Sequence, residues 1–553
     1  MHFDLEDVAG PVRLATDVCI VGGGVAGITA ARRLLEAGLA VVLLESGGFD
    51  YEPDTANLNA GLSVGQDYYD LEDTRLRFFG GTTAIWGGRI AQLDPVDLEM
   101  RSWVPHSGWP ISWYELEPYY APARRIFEIP ERSATVHELR RGGVRVPEFD
   151  PERLDVGVWD FDRRFNRFLF SACRDLPAHP RCTIVTHATV TELQLHAEGR
   201  HVECVQAQSL SGRRLAVEAR SVVLAAGGLE NPRLLLVSRS VAAHGIGNEH
   251  DQVGRYFMEH PHARGGRIDG AGAWTLLEAF GRSHVVGGTR ELAALLKPSA
   301  RLQRERGILN TSLTIAARQP ADARQAWGMR TYSQIKHRVA PTRAGRALWM
   351  VTKSAATWVQ RRTDPLRPWL LHQCGLREIA LLVRAEQAPN PLSRVRLTER
   401  LDPLGVPRLA LDWRMTRLDV DSVAGLVDIL TGELQRLGLG RVEAADWVRE
   451  RRGWRSDPLV SAHPLGGYHH MGTTRMSADP RRGVTDARGR VHGVENLYVV
   501  GSSVFPTSGW ANPTLTIVAL TLRTSESIAL GLARASAGPG SAASPRERLV
   551  ATT

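Results

Sequence analysis

The chain has 553 residues, of which 43% are hydrophobic and 23% charged, and a formal net charge of +8. This length predicts two to four domains and more than one hydrophobic core. The sequence has no apolar run of the roughly 18 residues needed to cross a bilayer, and its start, MHFDLEDVAGPVRL, lacks the features of a secretory signal. We therefore expect a cytoplasmic protein, with peripheral contact to a membrane left open.

Cysteine usage argues against a disulfide framework or a structural zinc site. The five cysteines are Cys19, Cys173, Cys182, Cys204 and Cys374. Their number is odd and no two are spaced as CxxC, which fits a reducing compartment. We expect no metal site, because the adjacent His469 and His470 point in different directions and lack further ligands at suitable spacing.

The first predicted elements form a βαβ unit. Residues 16–21 (TDVCIV) are typical of a buried strand, and residues 24–38 have the periodicity of a helix that ends at Gly38. Residues 40–46 (AVVLLES) then predict a second strand.

The turn between the first strand and the helix is a nucleotide-binding pattern. Gly22, Gly24 and Gly27 form GxGxxG, which permits a tight turn, close backbone approach to a pyrophosphate and close packing of helix on strand. Glu45 ends the second strand, where it could accept hydrogen bonds from a ribose hydroxyl. An acid there would repel a 2′-phosphate, so NADP is the least expected ligand.

Four later segments have clear patterns. Alternation over residues 183–210 predicts a strand hairpin, and residues 220–238 are typical of a strand, a small-residue turn and a helix. Residues 393–415 predict a second hairpin that turns at DPLG, followed by a helix that ends at Gly438.

We expect a discontinuous nucleotide-binding domain, because its predicted strands are far apart in the chain. The predicted nucleotide-binding domain comprises residues 14–110, 180–260 and 460–533, the substrate domain comprises 111–179 and 261–459, and a tail covers 534–553. The tail is small, polar and rich in Pro and Gly, which predicts disorder.

Several segments together carry a family resemblance. They are the turn at 22–27, FFGGTTAIWGGRI at 78–90, VVLAAGGLENPRLLL at 222–236, GRYFMEHP at 254–261, YHHMGTTRM at 468–476 and the stretch 496–520. In this order and spacing they resemble the glucose-methanol-choline (GMC) oxidoreductases, FAD enzymes that oxidise alcohols. The resemblance implies an α/β fold, with a Rossmann-like FAD-binding domain assembled from discontinuous segments and an α+β substrate domain containing an antiparallel sheet.

The resemblance also implies the residues that contact FAD. In the family, the loop corresponding to residues 80–87 lies along the isoalloxazine and the pyrophosphate. The implied contacts are Gly22, Gly24, Val25, Ala26, Gly27, Glu45, Ser46, Gly80, Gly81, Thr82, Thr83, Trp86, Gly87, Val190, Ala226, Gly501, Ser502, Asn512, Pro513 and Thr514. Some sugar-oxidising relatives attach the flavin covalently through a histidine just before the tryptophan. Ile85 stands there in this chain, so we expect non-covalent FAD.

One cofactor segment departs from the family pattern. Relatives often carry an acid after the strand, as in VVDAS, whereas this chain has VVGSSVFP with Gly501 at that place. Ser502 and Ser503 follow. Contact here is therefore expected through backbone amides and hydroxyls.

Oxidation of an alcohol requires a base for the hydroxyl proton and a hydride acceptor, which in the family is flavin N5. The family pattern assigns the base to His469, three residues before the glycine of MGT, and a neutral histidine suits this role near pH 7. His470 and His463 compete for the same role.

Asn512 aligns with the second member of the family's catalytic pair, which holds the alcohol oxygen. Followed by Pro513 and an apolar stretch over 513–530, Asn512 also fits a helix N-cap with proline at the first helical position. Both roles are compatible, since a helix N-terminus at the flavin would favour the negative charge that develops on reduction.

The resemblance favours a sugar, glycoside or polyol as substrate. A lipid-linked, sterol or aryl alcohol at a membrane surface is one alternative. A different flavoenzyme class and a non-catalytic flavin-binding partner are others. The electron acceptor, which could be oxygen, a quinone or a redox protein, is left open, and nucleic acid is not expected as a partner.

A basic segment is not explained by the resemblance. Residues 318–367 contain eleven Lys and Arg against two acids, a local charge of +9. Within residues 342–362, apolar positions recur at helical spacing. Such a helix could lie on anionic lipid or receive a phosphorylated or lipid-linked substrate. In the alternative interpretation, its apolar stripe packs on the substrate domain.

Overall fold

The computed structural model describes residues 1–164, 166–321, 341–363, 366–461 and 463–537. The described strands form three sheets. They are β1 (His2–Asp4), β2 (Val12–Val21), β3 (Val41–Leu44), β4 (Gly61–Gly65), β5 (Arg89–Ile90), β6 (Leu154–Phe161), β7 (Cys182–Thr186), β8 (Thr189–Leu195), β9 (Val202–Gln208), β10 (Arg214–Leu224), β11 (His262–Asp269), β12 (His284–Val286), β13 (Arg290–Pro298), β14 (Ser312–Arg318), β15 (Glu378–Arg384), β16 (Arg394–Leu401), β17 (Pro407–Trp413), β18 (Arg441–Ala444) and β19 (Leu497–Val499).

Helices cover the sheets and connect their strands. The α-helices of the described residues are α1 (Val25–Glu36), α2 (Pro53–Asn57), α3 (Pro95–Leu98), α4 (Trp113–Leu116), α5 (Tyr120–Ile126), α6 (Val136–Arg141), α7 (Asp175–Ala178), α8 (Gly227–Val237), α9 (Ala273–Phe280), α10 (Ala300–Arg306), α11 (Arg343–Thr363), α12 (Leu366–Gln373), α13 (Arg417–Leu437), α14 (Asp446–Glu450) and α15 (Thr514–Ala537). Short 3-10 helices lie at Leu5–Asp7, Leu71–Thr74, Gly81–Ala84, Glu117–Tyr119, Phe170–Ala172 and Ser502–Val504.

The first sheet has the strand order β1-β7-β3-β2-β10-β9-β8, and β19 pairs with the inner strand β10. Strands β1, β7, β3, β2, β10 and β19 run parallel. The predicted βαβ unit is confirmed as β2, α1 and β3, and with it the mixed α/β, Rossmann-like fold. Helix α1 packs on this sheet through an apolar face that includes Ile28, Ala31 and Leu34.

The predicted hairpin over residues 183–210 is wrong in its first strand. β7 joins the parallel sheet beside β3, and the hairpin consists of β8 and β9 alone. Alternating polarity predicts strands but cannot tell which neighbour each strand will pair with. The buried strand β7 completes the sheet that carries the glycine turn.

The second sheet is antiparallel, with the order β18-β11-β15-β14-β13-β6-β5 and β12 beside β13. Helix α13 packs against it, and the apolar side chains between them form a second core. The predicted helix end is confirmed, since Gly438 has a left-handed φ of 64° immediately after α13.

A third, small sheet joins the two halves of the chain. The predicted hairpin over residues 393–415 is confirmed as β16 and β17, and β4 pairs in parallel with β17. Strand β5 pairs with β6 of the second sheet. Both β4 and β5 lie within the predicted nucleotide-binding segment 14–110, so the sheets cross that predicted boundary.

Helix α15 differs from its prediction at both ends. It begins at Thr514, which makes Pro513 rather than Asn512 the residue next to the helix, and it runs to Ala537 rather than residue 530. The predicted tail is thus helical over 534–537, and its remainder, 538–553, lies outside the described residues. By length and composition Thr514–Ser536 could span a membrane. In this structure it packs on α1 and α5, and much of its apolar surface is buried there.

The basic segment contains α11 and α12, while residues 322–340 and 364–365 lie outside the described part. The interpretation that its apolar stripe packs on the substrate domain is wrong for the described side chains. Leu348, Val351, Trp358 and Val359 are 63%, 69%, 59% and 44% exposed. A helical pattern predicts which residues share a face, but not whether a neighbour covers that face.

Close packing of α1 on its sheet depends on Gly27. A Cβ at this position would lie 1.9 Å from the carbonyl oxygen of Gly22, on rigid backbone. We expect Gly27→Ala to lower the free energy of unfolding by about 3 kcal/mol or more, measured by thermal or urea unfolding.

Gly531→Ala is the matched control, because Gly531 also lies in a helix but its added Cβ would contact nothing within 4 Å. This variant should be neutral or stabilising by about 0.5–1 kcal/mol. Equal stability of the two variants would contradict the packing role of Gly27.

Candidate active site

The candidate site lies at the carboxyl edge of the first sheet. The carboxyl ends of β2, β3, β10 and β19 are aligned, so the turns that follow these strands meet at one edge. Each of these turns contributes a predicted residue: Gly22, Glu45, Ala226 and Gly501. The parallel sheet therefore brings together positions that are far apart in the chain.

The glycine turn has both strained and open positions. Gly22 has a φ of 106°, and a Cβ there would lie 2.7 Å from the carbonyl oxygen of Ala225. A Cβ on Gly24 would contact nothing within 4 Å. Helix α1 begins at the next residue, Val25, and the N–H groups of a first helical turn lack helical partners and bind anions. This geometry fits a pyrophosphate.

Glu45 supports this turn. Its Oε2 accepts a hydrogen bond from the backbone N–H of Gly23 at 2.7 Å, and its Oε1 accepts one from Gly47 at 3.1 Å. The side chain lies at the cavity wall in a residue that is 5% exposed, and burial raises its pKa. Any contact with a ribose hydroxyl would use the remaining lone pairs of this carboxylate.

The loop at residues 80–87 is held by hydrogen bonds within itself and to neighbouring segments. Thr83 donates its hydroxyl to the carbonyl of Gly80 at 2.6 Å, and the Thr82 hydroxyl accepts from the backbone N–H of Leu76 at 3.2 Å. Thr82 thus keeps its own proton for a ligand, whereas Thr83 offers only lone pairs. Trp86 is partly buried at the same wall.

The segment around Gly501, where relatives often carry an acid, supports the loop that carries His469 and His470, which we call the histidine loop. Ser502 donates its hydroxyl to the carbonyl of His470 at 2.7 Å. Gly501 has a φ of 109°, and a Cβ there would contact nothing within 4 Å. The open side of Gly501 therefore permits close approach of a ligand to the backbone.

His469 lies between two hydrogen-bonding partners. Its Nδ1 is 2.8 Å from Nδ1 of His260, and its Nε2 is 3.3 Å from Nδ2 of Asn512. The second ring nitrogen of His260, Nε2, is 2.8 Å from the carbonyl oxygen of Gly509. The predicted pair thus shares one site. His260, for which the sequence predicted no role, completes it, although it lies in the recognised motif GRYFMEHP.

These contacts fit one arrangement of protons. A carbonyl oxygen only accepts, so Nε2 of His260 donates to Gly509. Burial lowers the pKa of His260 to about 4, so this ring is neutral near pH 7 and its Nδ1 carries a lone pair. Nδ1–H of His469 donates to that lone pair. Burial, followed by the charges of neighbouring groups that include Arg384, lowers the pKa of His469 well below its usual value. Nε2 of His469 is then the unprotonated nitrogen, as a base requires.

Glu259 anchors the backbone of the histidine loop through hydrogen bonds. Its buried carboxylate accepts hydrogen bonds from the backbone N–H groups of His469 at 2.7 Å, His260 at 2.9 Å and Gly467 at 3.2 Å. Tyr68 donates its hydroxyl to the same carboxylate at 2.8 Å. Burial raises the pKa of Glu259 to about 7. One carboxylate therefore connects two motifs that are distant in sequence.

The competing histidines have different surroundings. Nε2 of His470 lies 3.0 Å from the hydroxyl of Tyr68, and burial lowers the pKa of His470 to about 3. His463 also lines the cavity. Of the three, His469 is the one for which the described contacts include Asn512.

A cavity of about 670 Å³ connects the glycine turn with His469, a volume typical of ligand and cofactor sites. Every predicted site residue lines it except Gly27, which lies beneath the turn. Lining residues for which no role in catalysis or FAD binding was predicted include Arg89, His262, Arg346, Trp349, Arg384 and Tyr468. An open glycine turn at a helix N-terminus and a proton-accepting pair in one cavity fit FAD and an alcohol.

Comparison with known proteins agrees with this geometry. The family model for FAD dependent oxidoreductases matches residues 17–337, and the C-terminal model for GMC oxidoreductases matches residues 389–521. The chain is 26% identical to 6'''-hydroxyparomomycin C oxidase of Streptomyces lividus, over 94% of this chain and 92% of the relative. It is also 26% identical to paromamine 6'-oxidase of Streptomyces fradiae, over 93% and 91%.

Among solved structures, pyridoxine 4-oxidase from Mesorbium loti aligns with a TM-score of 0.55 and 18% identity, covering 92% of this chain and 98% of that one. This likeness shows a common fold. The family-model matches, the relatives and the fold agree: the chain belongs to the GMC oxidoreductases, FAD-dependent enzymes that act on alcohol groups.

Proposed function

We propose that this enzyme oxidises a CH–OH group of a sugar, aminoglycoside or polyol to a carbonyl, with His469 as the base. The observation that carries the proposal is that Nε2 of His469 lies 3.3 Å from Nδ2 of Asn512 in the cavity, in contacts that fit an unprotonated Nε2. Relatives that are oxidases of paromamine and 6'''-hydroxyparomomycin C support the substrate class.

FAD would be held by the glycine turn, the first turn of α1, the loop at 80–87 and the segment around Gly501. When bound, FAD accepts the two electrons that leave the carbinol carbon. Ile85, 39% exposed, stands where a covalent attachment would need a nucleophile. The FAD is therefore non-covalent. When the denatured protein is removed by ultrafiltration, all of the FAD should appear in the filtrate.

The residues of the chain accept the hydroxyl proton and orient the alcohol. Asn512 donates from Nδ2 to the alcohol oxygen, which directs the hydroxyl proton toward Nε2 of His469. His260 keeps the proton of His469 on Nδ1, and Glu259 holds the backbone of both histidines.

Anaerobic bleaching of the flavin by sugars, polyols or glycosides tests the assignment. A flavin that no alcohol of any class bleaches would instead indicate a non-catalytic flavin-binding partner.

Substitution of the catalytic pair tests the roles directly. We expect His469→Ala to lower kcat about 10²- to 10⁴-fold with FAD still bound, because the hydroxyl proton loses its acceptor. Asn512→Asp should also lose turnover, since a carboxylate has no N–H to donate, while Asn512→His keeps a donor and more activity. Stopped-flow flavin reduction measures each rate.

His463→Phe is the control for the catalytic pair and should keep most of the activity. A larger loss in His463→Phe than in His469→Ala would contradict the assignment of the base.

The role of His260 is tested by two amides. In His260→Asn, Oδ1 can take the place of Nδ1 and accept the proton of His469. In His260→Gln, Nε2 can keep the bond to Gly509 but leaves His469 without an acceptor. If His260 sets the tautomer, the Asn variant should retain more activity, with the Gln variant about 10- to 100-fold slower in flavin reduction.

The pH dependence of kcat gives a second test of the role of His260. Because the pKa of His469 is lowered, its neutral form persists as pH falls below 6.5, so the acid limb of kcat in the native enzyme should lie below that value. A Gln variant as active as the Asn variant, with the same acid limb, would show that His260 is only structural.

We further infer that α11 and α12 contact an anionic membrane surface. Helix α11 contains five Lys and Arg and no acid. Its exposed apolar side chains continue into the next helix, where Leu366, Trp369 and Leu370 are 62%, 43% and 49% exposed. Basic charge beside an exposed apolar stripe is the pattern of interfacial helices. A second copy of this positive face would instead be repelled.

Vesicle binding tests this contact. We expect the holoenzyme to co-sediment with phosphatidylglycerol vesicles, less at high salt, and not with phosphatidylcholine vesicles. Replacing Arg343, Lys353, Arg361 and Arg362 by Gln, or Val351 and Trp358 by Asp, should abolish binding. Replacing the exposed Arg213, Arg214, Arg481 and Arg482 by Gln should leave binding unchanged. Loss in both charge variants would point to net charge rather than to this surface.

A further inference from the structure

Two arginines face the same cavity as His469. Arg89 begins β5 and Arg384 ends β15, and both line the cavity wall. Their guanidinium groups lie over the ring of Trp159, with centroid distances of 5.3 and 5.8 Å. The charge of Arg384 is among the causes that lower the pKa of His469, which places this cation near the base.

Neither arginine has a carboxylate partner among the described residues. Most other buried arginines of this chain do: Arg101, for example, forms a bidentate ion pair with Glu386. Arg475 is an exception, since its guanidinium donates to the carbonyl of His106 and lies over the ring of Tyr256. For Arg89 and Arg384, no described carboxylate oxygen lies within 4.0 Å of the guanidinium. The described side-chain contact of Arg384 is to Nε2 of His262 at 3.3 Å.

This arrangement is costly without an anion. The Nε atoms of both arginines are buried and make no hydrogen bond to a described residue. Burial, followed by the charges of Arg89 and Arg318, lowers the pKa of Arg384 to about 9. The charge of Glu291 opposes the effect of burial at Arg89, yet the pKa of Arg89 is still lowered. Like charges taken from water together are stabilised when an opposite charge joins them.

The segments outside the described residues do not supply an excess of negative charge. They contain three acids, Asp322, Asp364 and Glu547, against six Lys and Arg. Their composition therefore favours a ligand as the source of negative charge beside Arg89 and Arg384.

We propose that Arg89 and Arg384 form a subsite for an anionic group of the substrate, a carboxylate or a phosphate. This inference rests on the proposed function and narrows it: the alcohol oxidised at His469 also carries an acid, as in a sugar acid or a sugar phosphate, and the polycationic aminoglycosides fall outside the narrower class. Guanidinium groups suit this task because their planar N–H donors match the oxygens of both anions.

Anion binding to the oxidised holoenzyme tests the subsite without turnover. Inorganic phosphate and acetate are titrated separately, with the flavin absorbance and competition against an alcohol as readouts. We expect at least one of them to bind competitively, with its Kd raised tenfold or more in Arg89→Gln and in Arg384→Gln. The tighter probe identifies the class of anion. Arg267→Gln is the control, because Arg267 lies on neighbouring β11 and pairs at the surface with Glu443 at 2.6 Å.

Turnover separates failure of this subsite from failure of the proposed function. We expect kcat/KM to be at least tenfold higher for D-gluconate than for D-glucitol, or for D-glucose 6-phosphate than for D-glucose, and this preference should vanish in both variants. Equal use of neutral and anionic alcohols would overturn the subsite and leave alcohol oxidation intact.

Two further results would also overturn the subsite. One is that neither probe binds, or that both bind the variants as tightly as the native enzyme. The other is an equal slowing of all alcohols with unchanged anion affinity, which would assign the cations to the flavin. If no alcohol reduces the flavin, the proposed function fails, and the anion titration still decides the subsite.

Discussion

The site depends on close backbone contact at the carboxyl edge of one parallel sheet. Gly27 permits α1 to pack on the turn at Gly22, where any Cβ would meet a carbonyl at 1.9 Å. On the other side of the site, a Cβ on Gly228 would lie 2.2 Å from the carbonyl of His470. The first contact brings α1 against the turn, and the second brings the start of α8 against the backbone of His470. Both approaches require a residue without a side chain.

Burial and hydrogen bonding together keep Nε2 of His469 unprotonated, as a base requires. The carboxylate of Glu259 collects backbone N–H groups from two distant loops, which places His260 and His469 in contact. Burial keeps both rings neutral, and the carbonyl of Gly509 decides which nitrogen of His260 donates. The lone pair on Nε2 of His469 follows from these contacts. The same contacts therefore position the two histidines and set the proton arrangement that the base needs.

The charge of the protein is concentrated in the middle of the chain and near the cavity. Most buried arginines neutralise carboxylates, as Arg233 does with Asp402 at 2.6 Å. Arg89 and Arg384 differ because they face a space that a ligand can enter. The exposed basic helix α11 begins at the same cavity, where Arg346 and Trp349 form part of the wall. Positive charge thus marks both the proposed substrate end and the neighbouring outer surface.

The sequence by itself determined the elements that local rules control. GxGxxG after an apolar run predicts β2, the turn and α1, and the ordered motifs predict the GMC family, FAD and the pair of His469 and Asn512. Tertiary structure decided the rest. It placed β7 in the parallel sheet, left the stripe of α11 exposed, and brought His260 to His469 across 209 residues. Hydrophobic periodicity reports which residues share a face, but partners, burial and proton positions depend on contacts between segments that only folding brings together.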